Sequence, residues 1–186
     1  MVDTDARLLP GIARAAIAGV LGLPAAEQVL PDSLLEHGAS FVTLHMDGRL
    51  RGCIGSLVPR RPLAEDVRDN ALSAAFRDFR FQPLTAPEFG DIDISVSVLG
   101  ATEPLPVADE TDALRQLVPG TDGLIIEFKG CRGTFLPQVW QQLPDARAFL
   151  TQLKRKAGLP PDFWHPGIRL SRYQVQEYTE QGHRHG

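Results

Sequence analysis

The chain has few of the residues that staple, anchor or metallate a protein. Its two cysteines, Cys53 and Cys131, are too few for a disulfide framework or a four-thiolate zinc site, and they suit a reducing cytoplasm. No stretch approaches the roughly 18 apolar residues that cross a bilayer, so no membrane association is expected. The opening MVDTDARLLP is acidic and lacks a basic region followed by an apolar one, which argues against a secretory signal and for a cytoplasmic protein. Apart from His183 and His185 in the last residues, no two His or Cys stand at a ligand spacing on one element, so neither a metal nor a cofactor is expected. Residues 181–186 read as a flexible tail. A net charge of −4 lacks the basic excess that nonspecific nucleic-acid binding needs, although a local basic patch stays open.

What is present is a globular pattern. Residues 1–180 are enough for one domain built from two intimately packed subdomains. Leu9, Ile12, Ala13, Ala16, Ile17 and Val20 recur at helical spacing, with Pro10 suited to a first turn and Gly22 and Pro24 to a stop. Residues 24–40 read as a loop. A second helix is expected over Leu63–Phe79, its inward stripe running from Ala64 and Val67 to Phe76 and Phe79. Residues 92–98 alternate as a half-buried strand, and 109–118 suit a short helix. Leu124–Lys129 and Thr134–Leu136 read as strands around a turn at 130–133. Pro137 opens a short helix, Asp145 caps a longer one that Gly158 stops, and 168–179 form a closing strand. The fold class is therefore α+β: antiparallel hairpins and sheet with flanking helices, and a cleft between the subdomains.

The most informative stretch is Phe41–Gly55, FVTLHMDGRLRGCIG. Asp47-Gly48 is a strong signal for a two-residue type I′ turn, which needs positive φ at both central residues. An uninterrupted register sets Met46 opposite Arg49, Leu44 opposite Arg51 and Val42 opposite Cys53, all on one face. Leu50, Gly52 and Ile54 then share the other face with His45, Thr43 and Phe41. In that register Arg51 and Cys53 project together, about 7 Å apart, and His45 points away from the thiol. Gly52 and Gly55 flank Cys53, as glycines do at a bulge or a close backbone approach.

Two readings of Cys53 stand side by side. Free cysteine is often a small buried hydrophobe. A reactive thiol instead needs nearby cations and a base. Arg49, Arg51, Arg60 and Arg61 are close in sequence, but neither His37 nor His45 nor the distant His165 is an evident base. Arg51, Arg60, Arg61, Arg77 and Arg80 could gather around the hairpin and offer bidentate donors to a carboxylate or phosphate. They could equally pair with Asp66, Asp69 and Asp78. Asn70, bordering the helix stripe, is expected to be half-buried and to tie down a nearby loop backbone, with ligand contact the less favoured role.

A second string, GLIIEFKGCRGTFLP at 123–137, echoes the hairpin. Arg51-Gly52-Cys53 corresponds to Arg132-Gly133-Thr134, and each is followed by a helix. A duplication would relate 41–79 to 124–157.

Taken in order, LRGCIG, NALSAAFRD, RFQPL, DISVSVL, DGLIIE, GTFLPQVW and FLTQLKRKAGLP resemble the AMMECR-type domain family, whose microbial members are called AmmeMemoRadiSam system protein A. The resemblance runs from about residue 5 to 178. It implies an α+β fold of two subdomains and a functional site at LRGCIG. It also implies association with a Memo-like protein and a radical SAM enzyme. Arg51, Gly52, Cys53, Ile54 and Gly55 stand intact. Ser56 replaces the usual Thr and keeps the hydroxyl, while Phe79 stands where Pro is commoner. The residues expected at a site are thus Cys53 as a candidate nucleophile, with Arg51, Gly52, Gly55, Ser56, Asn70 and Arg80 as ligand contacts. The readings left open are a catalyst using Cys53, a module binding an anionic small molecule, and a scaffold that recognises a partner protein.

Overall fold

The N-terminal segment turns helical twice, as α1 (Asp3–Ala6) and α2 (Leu9–Leu21), in a computed structural model that describes residues 3–180. Pro10 sits in the first turn of α2, where its missing N–H is no loss, and Gly22 closes the helix at a left-handed φ of 68°. The 24–40 segment is not all loop. It holds a 3₁₀ turn at Asp32–Leu34 and the strand β1 (His37–Gly38). β2 (Ser40–Met46) and β3 (Arg49–Gly55) form the expected hairpin, with Asp47 at φ 51° and Gly48 at 73°. β4 (Arg61–Pro62) pairs back onto β1 and leads into α3 (Leu63–Phe76).

α3 stops three residues before the predicted end. Phe79, placed in its inward stripe by periodicity, is 96% exposed, because the chain has already turned out of the helix at Arg77. Thr85 and Glu88 make a reciprocal capping box for a 3₁₀ turn at Ala86–Asp91, which feeds β5 (Ile92–Leu99). β6 (Glu103–Pro104) and α4 (Glu110–Gln116), capped by Asp109, follow. The second hairpin is β7 (Gly123–Phe128) and β8 (Cys131–Phe135). Its turn is Lys129-Gly130, at φ 44° and 83°, so Cys131 begins the return strand instead of lying in a 130–133 turn. After a 3₁₀ turn at Pro137–Gln141 comes α5 (Ala146–Lys156), capped by Asp145. The single closing strand expected at 168–179 is two, β9 (Arg169–Tyr173) and β10 (Val175–Thr179), and they belong to different sheets. The 181–186 tail, with His183 and His185, lies outside the described residues.

The described chain divides into two compact units, residues 3–99 with 176–180, and 100–175. The first carries the antiparallel sheet β10-β5-β2-β3, the second the sheet β6-β9-β7-β8. Each therefore runs hairpin, helix, strand, with the hairpin's second strand at the sheet edge. In the first unit Val42 and Leu44 of β2, Ile94 and Val96 of β5 and the α2 stripe close over α3. Burying each of these aliphatic side chains contributes about 1.5–3 kcal/mol over leaving it exposed. α3 itself offers mostly alanine to this core, at 64, 71, 74 and 75. Small side chains bury little area, so the helix gains by approaching the sheet closely. In the second unit Leu124 and Ile126 of β7, with Leu170 of β9, meet Phe149, Leu150 and Leu153 of α5. No helix among the described residues is long and apolar enough to cross a membrane. Among the same residues no group of three or more His, Cys, Asp and Glu could hold a metal ion.

Candidate functional site

A single extra residue reshapes the first hairpin. Met46 faces Arg49 and His45 faces Leu50, but the next pair is Leu44 with Gly52. Arg51 is left over as a β-bulge, and every residue beyond it changes face. Cys53 therefore stands opposite Thr43, not Val42, with its Sγ 3.3 Å from Thr43 Oγ1. The two-residue alternation that would set Arg51 and Cys53 side by side is broken. β2 pairs with β5 without interruption, so Thr43 and His45 share a face, and Cys53 joins that face. The expectation that His45 points away from the thiol is corrected by the bulge.

The two motif glycines are filled by the chain itself. A Cβ on Gly52 would lie 2.2 Å from the carbonyl oxygen of Ala74, so the backbone of α3 rests directly on β3 there. A Cβ on Gly55 would lie 2.2 Å from the ring of Phe41, which covers that glycine across the strand pair. Both contacts are packing, and neither leaves the space above the α-carbon for a ligand.

β3 is a sheet edge, yet its backbone at Cys53 is not free. The Cys53 N–H donates to Asp78 Oδ2 at 3.0 Å, and Arg80 Nη2 donates to the Cys53 carbonyl at 3.3 Å. Together they do what a neighbouring strand would do, and so protect the edge. The clamp is tight. Arg80 Nη2 and Nε bond the two Asp78 oxygens at 2.7 and 3.0 Å, and the Arg80 N–H adds a third bond at 3.2 Å. The hydrogen bonds from Arg80, outweighing burial and helped by the Cys53 and Arg80 N–H groups, hold the Asp78 carboxyl down to about 2. The Arg80 guanidinium is raised in turn, chiefly by its bond to Asp78.

Arg51 has gone inward. It is 8% exposed, and its Nε and Nη2 donate to the Glu88 carboxylate at 3.2 and 3.3 Å. Those bonds lower the Glu88 pKa against the effect of burial, and Thr85 adds its N–H and hydroxyl. The remaining nitrogen, Nη1, is buried with no hydrogen-bond partner among the described residues. The Phe81 ring lies near both guanidiniums, 6.0 Å from that of Arg51 and 5.4 Å from that of Arg80. Arg51 also lines a cavity of about 430 Å³ with Met46, Asp47, Arg49 and Leu50.

Ser56 and Asn70 belong to a separate network centred on the buried Asp66. Asp66 accepts from the Ser40 N–H and hydroxyl at 2.8 and 2.7 Å, from Asn70 Nδ2 at 3.0 Å and from Ser56 Oγ at 2.8 Å. Asn70 also donates to the Ser40 carbonyl at 3.0 Å, so it ties down backbone as its position suggested. Arg61 closes the network on Asp66 and Asp69, and Arg77 reaches Asp69. The arginines expected to converge on the hairpin are thus divided. Arg61 and Arg77 pair with the acids near them, Arg60 is exposed, and Arg51 and Arg80 stay with the motif.

Two residues that shape the site were missed from the sequence. Glu88 was legible as the last residue of Thr-Ala-Pro-Glu, a capping-box string, although nothing in the string names Arg51 as its partner. Asp78 offers itself from the sequence only as an arginine partner. Its grip on the Cys53 N–H depends on the tight turn after α3, which the Asp78 carbonyl closes by accepting from the Phe81 N–H at 3.0 Å.

The same arrangement of sequence and fold recurs in other proteins. The chain is 44% identical over 155 residues to a Methanothermobacter thermautotrophicus protein, covering 82% of this chain and 81% of that one. It is 40% identical over 154 residues to protein MJ0810 of Methanocaldococcus jannaschii, covering 81% and 77%. The crystal structure of the uncharacterized protein PH0010 from Pyrococcus horikoshii superposes with a TM-score of 0.88 at 32% identity, covering 97% of this chain and 94% of that one. Residues 11–178 match the AMMECR1 family, and with relatives this similar along most of its length the chain belongs to that family.

Proposed function

We propose that the protein is a ligand-binding component of a modification system, working alongside a Memo-like protein and a radical SAM enzyme. Its binding determinant is the Arg51–Gly55 segment. The observation that carries this reading is Arg51 Nη1, a buried cationic donor without an acceptor. An unsatisfied buried donor costs about 1–3 kcal/mol, more when charged, and an oxygen from a ligand would recover it. The cavity walls around Arg51 and Arg49 favour a small molecule bearing one carboxylate or phosphate group, held by bidentate or forked donors.

Binding is favoured over covalent catalysis by the surroundings of the thiol. The hydroxyl of Thr43 at 3.3 Å is too weak a base to activate Cys53. Cys53, two residues along the same strand, then serves as a reporter of how far that strand opens, which a ligand held by Arg51 would restrain, and not as a nucleophile.

The test uses the full chain with inorganic phosphate and with benzoate as probes. Alkylation of Cys53 by N-ethylmaleimide is followed by mass spectrometry, with Cys131 as the internal reference. Either anion is expected to slow labelling of Cys53 in a saturable way, and Arg51→Met to remove that protection while Cys131 is unaffected. Protection that survives Arg51→Met, or is absent with both anions, refutes the site. Co-elution of the purified chain with a Memo-like protein and a radical SAM enzyme tests the partnership separately.

A further inference from the structure

A second cavity, of about 590 Å³, lies between α2, residues 24–28 and Phe89-Gly90, in the same unit but with a different lining. That volume is in the range of small-molecule pockets. Its floor is the side of α2 made by Pro10, Gly11, Ala15 and Ala18. Large side chains are missing from this helix face, so the space between it and the 24–28 segment stays open.

The charges in its wall are already answered. Arg14 forks onto the Glu180 carboxylate through Nε and Nη2. It also donates to the Phe89 and Ile92 carbonyls, at 3.0 and 2.6 Å, and its guanidinium lies 4.8 Å from the centre of the Phe89 ring. Glu180 accepts in addition from the Ile94 N–H at 3.2 Å. Arg7, the other charged residue of the lining, is exposed to solvent. Against this balanced background Gln28 Oε1 is buried and accepts no hydrogen bond from the described residues. The other end of the same amide occupies the place of a side chain at Gly11, with Nε2 2.4 Å from where a Cβ would sit. Gly11 thus admits the Gln28 side chain and fixes it against the cavity floor.

We infer that this cavity binds a neutral small molecule with a compact apolar body and one N–H or O–H donor, the donor going to Gln28 Oε1. Neutrality follows from the Arg14–Glu180 pair, which leaves no charge in the deep wall to answer one on the ligand. The apolar body follows from the Ala and Pro lining. The inference does not depend on the Arg51 site.

Indole and N-methylindole are the probes, nearly equal in shape and differing in the donor. The full chain, labelled with ¹⁵N, is titrated with each and followed by two-dimensional NMR. Indole is expected to shift the Gly11, Ala15, Ala26 and Gly90 amides in a saturable way, with N-methylindole about tenfold weaker, the worth of one hydrogen bond to a buried acceptor. Gln28→Leu should abolish the difference between the probes, and Ala15→Phe, which fills the cavity, should abolish binding. Equal affinities in the wild-type chain, or shifts confined to other residues, overturn the inference. Should Ala15→Phe fail to fold, the two probes on wild type and Gln28→Leu still decide it.

Discussion

The two hairpins make a controlled comparison within one chain. Both turn on a residue pair at positive φ, Asp47-Gly48 and Lys129-Gly130. Both place a glycine of the second strand under a helix, Gly52 beneath Ala74 and Gly133 beside Ala157. Two edge residues are equivalent in register, Cys53 opposite Thr43 and Thr134 opposite Ile125. Each gives its carbonyl to a cationic side chain, Arg80 in the first case and Lys156 in the second. The difference is one residue. β7 and β8 pair without interruption, so Arg132 faces Glu127 and forms a surface ion pair at 3.2 Å. In β2–β3 the extra Arg51 forms a bulge and is driven inward onto Glu88. One inserted residue converts a solvated arginine into a buried one with a donor to spare.

The glycines should separate the hairpins most sharply. A Cβ at Gly52 would meet helix backbone, which cannot swing aside, whereas at Gly133 the nearest atoms are 3.1 Å away. Urea unfolding is expected to show Gly52→Ala losing about 3 kcal/mol or failing to fold, and Gly133→Ala losing about 1 kcal/mol. Equal losses would break the comparison. Next come the arginines. Arg51→Met leaves Glu88 half-buried without its cation and should cost about 2 kcal/mol, while Arg132→Met removes a surface pair and should cost under about 0.5 kcal/mol. The same denaturation series checks both.

The units should also fail at opposite ends of the pH scale. Asp78 is depressed to about 2, so it contributes stability fully above the ordinary carboxylate range, and that contribution is lost as pH falls from 3.8 towards 2. Its size is about 2 kcal/mol, and Asp78→Asn should flatten the acid limb of a stability profile. Tyr173, buried with its hydroxyl near Thr134 and Phe135, is raised by burial to about 12. Its contribution is lost as pH rises from 10 towards 12, and an ultraviolet titration should show the phenol ionising late. An acid limb unchanged by Asp78→Asn would show that the clamp adds no pH-dependent stability. A small effect is also expected for Cys53→Thr, which copies the second hairpin's residue. It should shift stability by under about 1 kcal/mol and leave anion protection of the whole chain, read now by thermal shift, unchanged if sulfur has no chemical role.

Much of this fold was legible because it is written in local rules. The Asp-Gly reversal, the alternation in 92–98, the Asp145 cap and the Ala-rich stripe of α3 each follow from neighbours a few residues apart. Asn70 ties down backbone as its place on the helix implied, but it is buried and the backbone is that of β2, not of a loop. The errors share a cause. Phe79 fits a helical period that the chain abandons at Arg77, and a strand predicted at 168–179 serves two sheets because pairing partners, not pattern, decide where a strand ends. The site was read one residue out of register beyond Arg51, since a bulge in an edge strand leaves no mark on alternation until its partner strand is known.

By itself, then, the order of residues determined the turn chemistry, the glycine stops after α2 and α5 and the placement of the motif at a hairpin. Tertiary structure alone decided which way the arginines face, that Glu88 and Asp78 are the acids that hold them, and that glycines 52 and 55 serve packing. The reason is physical. Turns and caps are settled by dihedral angles and hydrogen bonds within one stretch of chain, whereas a bulge, a buried ion pair and a helix resting on a strand need groups far apart in sequence to meet.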